Sequence, residues 1–244
     1  MDQAQKTSGK RTELQMARSM CWHCQSEVTG EYFCEQCIKV QPLSKELDYF
    51  TCLGLPRLLN IDINTLEAKF YALSRAFHPD FYQNKTESEQ TISLENSALL
   101  NTAYRTLKDP IQRAEYLLKL EAGSAKDIRT SPPADLFEEI LALQEDLEEY
   151  RSAQAGQNQV GLEQLRARLT VDRETLEQRQ REMETRLFEL FTTWDSLQSR
   201  QSQTEQAGRH LRQGKDAVLK EMRELLSNRT YLRNIVNDLI ATTA

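Results

Sequence analysis

The sequence is poor in residues that interrupt helices and lacks any long apolar run. Only 8 Gly and 6 Pro occur among 244 residues, of which 28% are charged. A membrane-spanning helix needs about 20 consecutive apolar residues, and no such run exists. The first twenty residues also lack the apolar stretch of a secretory signal. These absences predict a helix-rich intracellular protein without a membrane segment.

An excess of basic residues and the common catalytic motifs are also missing. The formal net charge is -6 at pH 7, whereas a nucleic-acid-binding domain usually carries a basic footprint. No P-loop, dinucleotide fingerprint or nucleophile elbow occurs in the sequence. We therefore predict neither a nucleic-acid-binding protein nor an enzyme.

Apolar residues spaced three and four positions apart predict a series of helices and an all-α fold. One helix carries its apolar residues at Leu66, Phe70, Leu73 and Phe77. Asn64 is its predicted N-cap, with Glu67 three positions later, and Pro79 ends it. Two further helices are predicted, one from about Glu89 to Leu107 and one from Pro110 to Leu120.

The second half of the chain predicts an acidic helix followed by a long helical arm. Leucine or methionine recurs every seven residues along this arm, at Leu162, Leu169, Leu176, Met183, Leu190 and Leu197. The companion heptad position is interrupted by Asp172, Arg179 and Arg186, and a parallel coiled coil needs both positions apolar. We therefore predict an antiparallel hairpin closed by a final helix, with a homodimer through the long helix as the alternative.

Four of the five cysteines form two C-x-x-C pairs. Cys21 and Cys24 are separated by nine residues from Cys34 and Cys37. Four thiolates can hold one tetrahedral Zn²⁺ with no open position, so a structural Zn²⁺ is predicted. A rubredoxin-like iron centre or thiol redox chemistry is the alternative, and the acidic residues nearby argue against nucleic acid. We expect Cys52 to be a buried core residue.

The tripeptide His78-Pro79-Asp80 lies between two predicted helices. Together with "DYFTCLGL" before it and "NTAYRTLKDPIQRA" after it, it resembles the J-domain of co-chaperones that stimulate DnaK-type chaperone ATPases. The resemblance implies that this tripeptide contacts the chaperone and is required for the stimulation. Lys69 and Arg75, on the preceding helix, match the basic face that meets the chaperone.

The stretches "FHPDFY", "LNTAYRTLKDPIQRAEYLLKL" and "LFEEILALQEDLEE" are similar, more narrowly, to HscB-type co-chaperones of iron–sulfur cluster biogenesis. That resemblance implies two partners, a DnaK- or HscA-type chaperone ATPase and an IscU-type scaffold protein. It also implies a scaffold-binding face on the acidic helix, at Leu136, Phe137, Leu141, Glu145 and Glu149. Two alternatives stay open: Phe137 and Leu141 as ordinary core residues, and a general J-domain protein with another client.

The predicted organisation follows from these segments. It comprises a flexible tail over 1–20, a zinc-binding module over 21–40, a J-domain helical hairpin over 48–120, a linker over 121–134, and a C-terminal helical bundle or long hairpin over 135–244. The predicted location is the bacterial cytoplasm, with the mitochondrial matrix as the alternative.

Overall fold

The computed structural model describes residues 19–28, 32–44, 47–121, 137–155, 159–200 and 205–243. Its contacts divide the chain into two compact units, with 1–57 and 61–109 in unit 1 and 58–60 and 110–244 in unit 2. The predicted tail up to residue 18 and the predicted linker from residue 122 lie outside the described residues. None of the described helices is both long enough and apolar enough to cross a membrane.

The described residues of unit 1 form two short strands and three α-helices. Their bounds are β1 Ser19–Met20, β2 Glu27–Val28, α1 Tyr49–Cys52, α2 Ile63–Ala76 and α3 Glu87–Lys108, with a 3-10 turn Pro79–Tyr82 between α2 and α3. The strands are antiparallel, pairing Ser19 with Val28. Apart from this pair and one isolated bridge between Phe33 and Val40, the described chain is helical or irregular, which confirms the predicted all-α class.

The helices α2 and α3 form the hairpin that the sequence predicts. Phe70 of α2 stacks on Tyr104 of α3, with ring centroids 4.0 Å apart. Leu66, Phe77 and Cys52 are fully buried. The prediction that Cys52 is a buried core residue is therefore confirmed. Burial of apolar side chains stabilises by about 25 cal/mol per Å², so these buried residues stabilise the hairpin.

Both helices of the hairpin begin earlier than the sequence pattern predicts. The N-cap of α2 is Asp62, whose carboxylate accepts the backbone N–H of Thr65 at 3.0 Å. The prediction of Asn64 as the N-cap is therefore wrong, because Asp62 already supplies the oxygen that the first turn needs. Helix α3 begins with a capping box between Thr86 and Glu89, so Glu89 lies inside the first turn.

The part of unit 2 that the structure describes forms four helices, whose bounds are α4 Pro110–Glu121, α5 Phe137–Ala155, α6 Gln159–Gln198 and α7 Glu205–Thr243. Hydrogen bonds near both ends show that α6 and α7 are antiparallel neighbours: Lys215 donates to the side chain of Gln198 at 2.5 Å, and Arg166 donates to the carbonyl of Thr243 at 2.9 Å. The predicted long antiparallel hairpin is thus confirmed.

The heptad leucines of α6 are buried within the chain itself. Leu169 is fully buried, and Leu176 and Leu190 nearly so. Helix α5 adds Ile140, Leu143, Leu147 and Tyr150 to the core that α6 and α7 share, which also holds Leu232, Val236 and Leu239. The apolar stripe of α6 therefore has partners without a second copy of the chain.

A carboxylate of α6 holds the short segment 58–60 in unit 2. Asp195 accepts the backbone N–H of Leu59 at 2.7 Å and that of Asn60 at 2.8 Å. The side-chain amide of Asn60 donates to the same carboxylate at 2.9 Å. Hydrogen bonds to a charged acceptor are about twice as strong as neutral ones, so Asp195 attaches this segment to α6.

Candidate functional site

The four predicted metal ligands lie together in unit 1. The sulfur atoms of Cys21, Cys24, Cys34 and Cys37 all lie within 4.8 Å of one another. Two of the separations, Cys21 to Cys37 and Cys24 to Cys34, are 3.6 Å. Tetrahedral coordination with Zn–S bonds of about 2.3 Å places the sulfur atoms about 3.8 Å apart. The cluster therefore fits one tetrahedral metal ion.

Each C-x-x-C pair forms a tight knuckle with the same backbone hydrogen bonds. In the first knuckle the N–H of Gln25 donates to the carbonyl of Cys21 at 3.1 Å, and the N–H of Cys21 donates to Ser26 at 2.8 Å. The second knuckle repeats both bonds around Cys34, at 2.8 and 2.9 Å. Gln25 and Ile38, which follow the second cysteine of each pair, have φ of 60° and 59°. This left-handed conformation reverses the backbone after each C-x-x-C pair, which allows the hydrogen bonds of the knuckle to close.

The thiols of the cluster differ in their electrostatic environment. Hydrogen bonds from the hydroxyl of Ser26 and the backbone of Cys37 lower the pKa of Cys34 to about 6. Burial raises the pKa of Cys37 to about 12. Four thiolates this close repel one another, and a divalent cation at their centre would offset that repulsion, as a thiolate metal site requires.

The tripeptide His78-Pro79-Asp80 forms an exposed and locally ordered turn. His78 is the N-cap of the 3-10 turn, and its Nδ1 accepts the N–H of Asp80 at 3.4 Å. Pro79 occupies the first position of the turn, where its fixed φ is already suitable. The side chain of Asp80 is 70% exposed, so its carboxylate can reach a cation on another molecule.

A shallow surface groove surrounds this turn. It is lined by Ser74, Arg75, His78, Asp80 and two aromatic residues, Tyr71 and Phe81. Tyr71 is 58% exposed and Phe81 is 64% exposed, and sequence reasoning missed both. A signal was available for Tyr71, because Tyr71 and Arg75 lie four positions apart on one side of α2. Phe81 follows Pro79, where the helical spacing no longer applies.

Lys69 is not among the residues that line this groove. Its ammonium donates to the carbonyl of Gly54 at 2.8 Å, at the end of α1. The structure therefore places Arg75 beside the tripeptide and engages Lys69 in a contact within unit 1.

The predicted binding face of α5 is exposed to solvent. Phe137 is 56% exposed and Leu141 is 49% exposed, and both Glu145 and Glu149 are exposed. The interpretation of Phe137 and Leu141 as core residues is therefore wrong, because a separate stripe of α5 fills the core. Leu136 lies outside the described residues.

The same helix thus carries two apolar stripes, of which one is buried and one is not. Large apolar side chains exposed next to each other are a common mark of an interaction site. The neighbouring glutamates make the exposed stripe of α5 suited to a partner that is both apolar and basic.

Comparison with known proteins relates the chain to one kind of co-chaperone. No protein-family model matches it. It is 34% identical over 129 residues to the iron-sulfur cluster co-chaperone protein HscB homolog of Arabidopsis thaliana, covering 53% of this chain and 51% of that protein. It is 36% identical over 105 residues to the iron-sulfur cluster co-chaperone protein HscB of Mus musculus, covering 41% and 45%. The chain spans about half the length of these curated relatives in the matched regions.

The fold is similar to that of the crystal structure of human co-chaperone protein HscB. The TM-score is 0.62, and the superposition covers 91% of this chain and 98% of that one at 23% identity. The structural likeness supports the fold, and the sequence relatives confirm the predicted resemblance to HscB-type co-chaperones.

Proposed function

We propose that this protein is a co-chaperone of iron–sulfur cluster assembly with two binding surfaces. One surface, the turn at His78-Pro79-Asp80, engages a DnaK- or HscA-type chaperone and stimulates its ATPase. The other, on α5, binds an IscU-type scaffold protein and delivers it to that chaperone. The observation that carries the proposal is the exposed apolar and acidic stripe of α5 in a chain that also presents an ordered, exposed tripeptide turn.

The turn is suited to binding because it is ordered before the partner arrives. The ring of Pro79 and the hydrogen bond from Asp80 N–H to His78 Nδ1 fix the backbone, which lowers the ordering cost of association. The exposed carboxylate of Asp80 can accept a bidentate contact from a chaperone arginine. Arg75 adds a positive charge at the edge of the same groove.

The stripe on α5 is suited to a scaffold that offers an apolar pocket with basic residues around it. Full burial of a side chain such as Phe137 or Leu141 is worth about 1.5–3 kcal/mol. Each is about half exposed in the free chain, so each retains roughly half of that free energy for binding. Glu145 and Glu149 extend the same side of the helix and add charge complementarity, which favours association rate and specificity.

The metal we propose for the four cysteines is Zn²⁺, held by all four thiolates in a structural role. Such an ion would cross-link the two knuckles and offset part of the negative charge of the four thiolates, with no open position for a substrate. Metal analysis of the purified chain by mass spectrometry, together with a thiol count after chelation, tests this assignment. One zinc per chain and four newly reactive thiols are expected. Iron in the purified protein, or two disulfides, would contradict it.

Calorimetric titration with an IscU-type scaffold tests the α5 surface. The double variant Phe137→Ala/Leu141→Ala should weaken binding by roughly 30-fold or more, as expected for central apolar contacts. Phe188→Ala is the matched control, because Phe188 is 44% exposed on α6 and lies outside the proposed stripe. Equal affinity of the double variant and the control would refute the location of the surface.

Steady-state ATPase measurements with the chaperone test the tripeptide. His78→Gln should abolish the stimulation while scaffold binding is unchanged, since the two surfaces lie in different units. Stimulation that survives this substitution would contradict the J-domain role. Stimulation by the unmodified chain without any scaffold binding would instead indicate a J-domain protein with another client.

The compartment we propose is the bacterial cytoplasm or, as the alternative, the mitochondrial matrix. Cell fractionation with antibodies against the chain distinguishes the two.

A further inference from the structure

We propose that the metal-bound cysteine module positions the loop that carries His78-Pro79-Asp80. The module comprises the described residues from 20 to 43, and the loop, named here the HPD loop, comprises residues 78–86. The importance of this loop for chaperone binding rests on the proposed function above. The structural claim is separate: contacts from the module reach Phe77 and Glu89, the residues that flank the HPD loop on either side.

The first contact lies at the start of the loop. The rings of Tyr32 and Phe33, from the module, pack against Phe77 with centroids 5.6 and 6.2 Å apart. Phe77 immediately precedes His78 and is fully buried. The hydroxyl of Tyr32 also donates to the carbonyl of Cys52 at 3.2 Å. The module therefore packs directly on Phe77, the residue from which the HPD loop begins.

The second contact lies at the end of the loop, in the capping box of α3. A single carboxylate oxygen of Glu89 accepts the hydroxyl of Thr86 at 2.8 Å and the ammonium of Lys39 at 2.8 Å. Glu89 is 4% exposed, so it depends on these partners, because a buried carboxylate without them is costly. The carbonyl of Lys39 in turn accepts the N–H of the metal ligand Cys34 at 2.9 Å. The second knuckle thus positions Lys39, whose ammonium contacts the carboxylate of the capping box.

A third contact fixes the module to the middle of α3. Asn96, which is 1% exposed, accepts the N–H of Leu43 at 2.9 Å and donates to the carbonyl of Gln41 at 2.9 Å. The side chain of Gln41 donates to the sulfur of Cys21 at 3.4 Å. A continuous series of contacts therefore runs from the sulfur cluster to α3.

The module depends on the metal because its own internal core is small. Its own buried cluster comprises Cys21, Val28 and Cys34, with Cys37 beside them. The β1–β2 pair has two residues in each strand. A core this small does not stabilise a fold without a metal or disulfides. Loss of the ion should therefore release the contacts made by Tyr32, Phe33 and Lys39.

Hydrogen exchange of the full-length chain, measured by mass spectrometry, tests the first part of the proposal. Metal-loaded protein is compared with protein stripped by a chelator, with α7 as the internal reference. Exchange over residues 77–93 should rise roughly tenfold on stripping, while α7 is unchanged. Loss of protection confined to residues 20–43, with residues 77–93 unaffected, would overturn the proposal.

A pair of lysine substitutions tests the route through Glu89 while the metal stays bound. Lys39→Met keeps the apolar stem and removes the ammonium, and should raise exchange at residues 86–90 about tenfold, as for loss of a bond to a charged group. Lys85→Met is the matched control, since Lys85 is an exposed lysine of the HPD loop. Equal exchange in the two variants, with equal metal content, would show that Lys39 does not position the loop.

Failure of this proposal and failure of the proposed function give different results. If the chaperone is not stimulated at all, the exchange experiment still reports on the HPD loop. If the loop is unaffected by the metal while His78→Gln abolishes stimulation, the J-domain role stands and the positioning role is refuted.

Discussion

Replacement of Asn96 by alanine should destabilise unit 1 by more than the loss of one hydrogen bond would, because its side-chain amide makes two. The substitution removes two hydrogen bonds and leaves the N–H of Leu43 and the carbonyl of Gln41 unpaired. Each net hydrogen bond is worth about 1 kcal/mol, and an orphaned buried group costs about 1–3 kcal/mol. Since some of these groups will be reached by water, we expect the free energy of unfolding to fall by about 3 kcal/mol.

The assay is urea unfolding of the metal-loaded chain, followed by tryptophan fluorescence. A Trp194→Phe background leaves Trp22 as the sole tryptophan of the two in the sequence, so the signal reports on unit 1. With a denaturant slope of about 1.5 kcal/mol per molar, the midpoint should fall by about 2 M. Asn101→Ala is the control, because Asn101 is exposed on the same helix. Equal midpoints for the two variants would refute the claim that Asn96 holds the module to α3.

Three further substitutions test other parts of the structure. Ile38→Gly should raise the unfolding free energy by about 1 kcal/mol, because a β-branched residue is strained at φ 59°; a lower thermal midpoint of the metal-loaded variant would contradict this. Hydrogen bonds from Thr51 and Arg57 outweigh the effect of burial and hold the pKa of Asp48 below its usual range, so its stabilisation is complete above about pH 4 and is lost as pH falls further. The free energy of unfolding should accordingly fall less steeply with acidification in Asp48→Asn than in the unmodified chain. Equal slopes would show that Asp48 does not contribute to the acid sensitivity of stability. Leu169→Ala should cost about 2–5 kcal/mol in unit 2, whereas Val171→Ala, at a residue 61% exposed, should change the urea midpoint little; similar losses would contradict the assigned core.

Local sequence signals predicted the parts of the site that depend on neighbouring residues. Pro79 ends the preceding helix by its own geometry, so the position of the tripeptide turn was visible in the sequence. The two C-x-x-C pairs likewise predict their own knuckles, because each turn closes within a few residues. The N-cap of α2 was predicted at Asn64, whereas the path of the preceding loop selects Asp62, which is an equally capable cap.

Features that depend on tertiary placement were not readable in the same way. Lys69 lies on the helix before the tripeptide, but the end of α1 brings the carbonyl of Gly54 within its reach. On α5, apolar residues lie on two sides, and only the packing of α6 and α7 selects the stripe that becomes core. The link between Lys39 and Glu89 joins residues fifty positions apart, a separation at which no local pattern applies.

The packing of α7 has a consequence for the order in which the chain can fold during synthesis. Unit 1 comprises only residues up to Asp109, so it can fold, and can bind a metal ion at its four cysteines, while later residues are still being added. Helices α4, α5 and α6 all pack on α7, and the core they share includes Leu239. The core of unit 2 therefore cannot form until almost the whole of α7 has left the ribosome, and until then the apolar residues of α5 and α6 remain exposed to solvent.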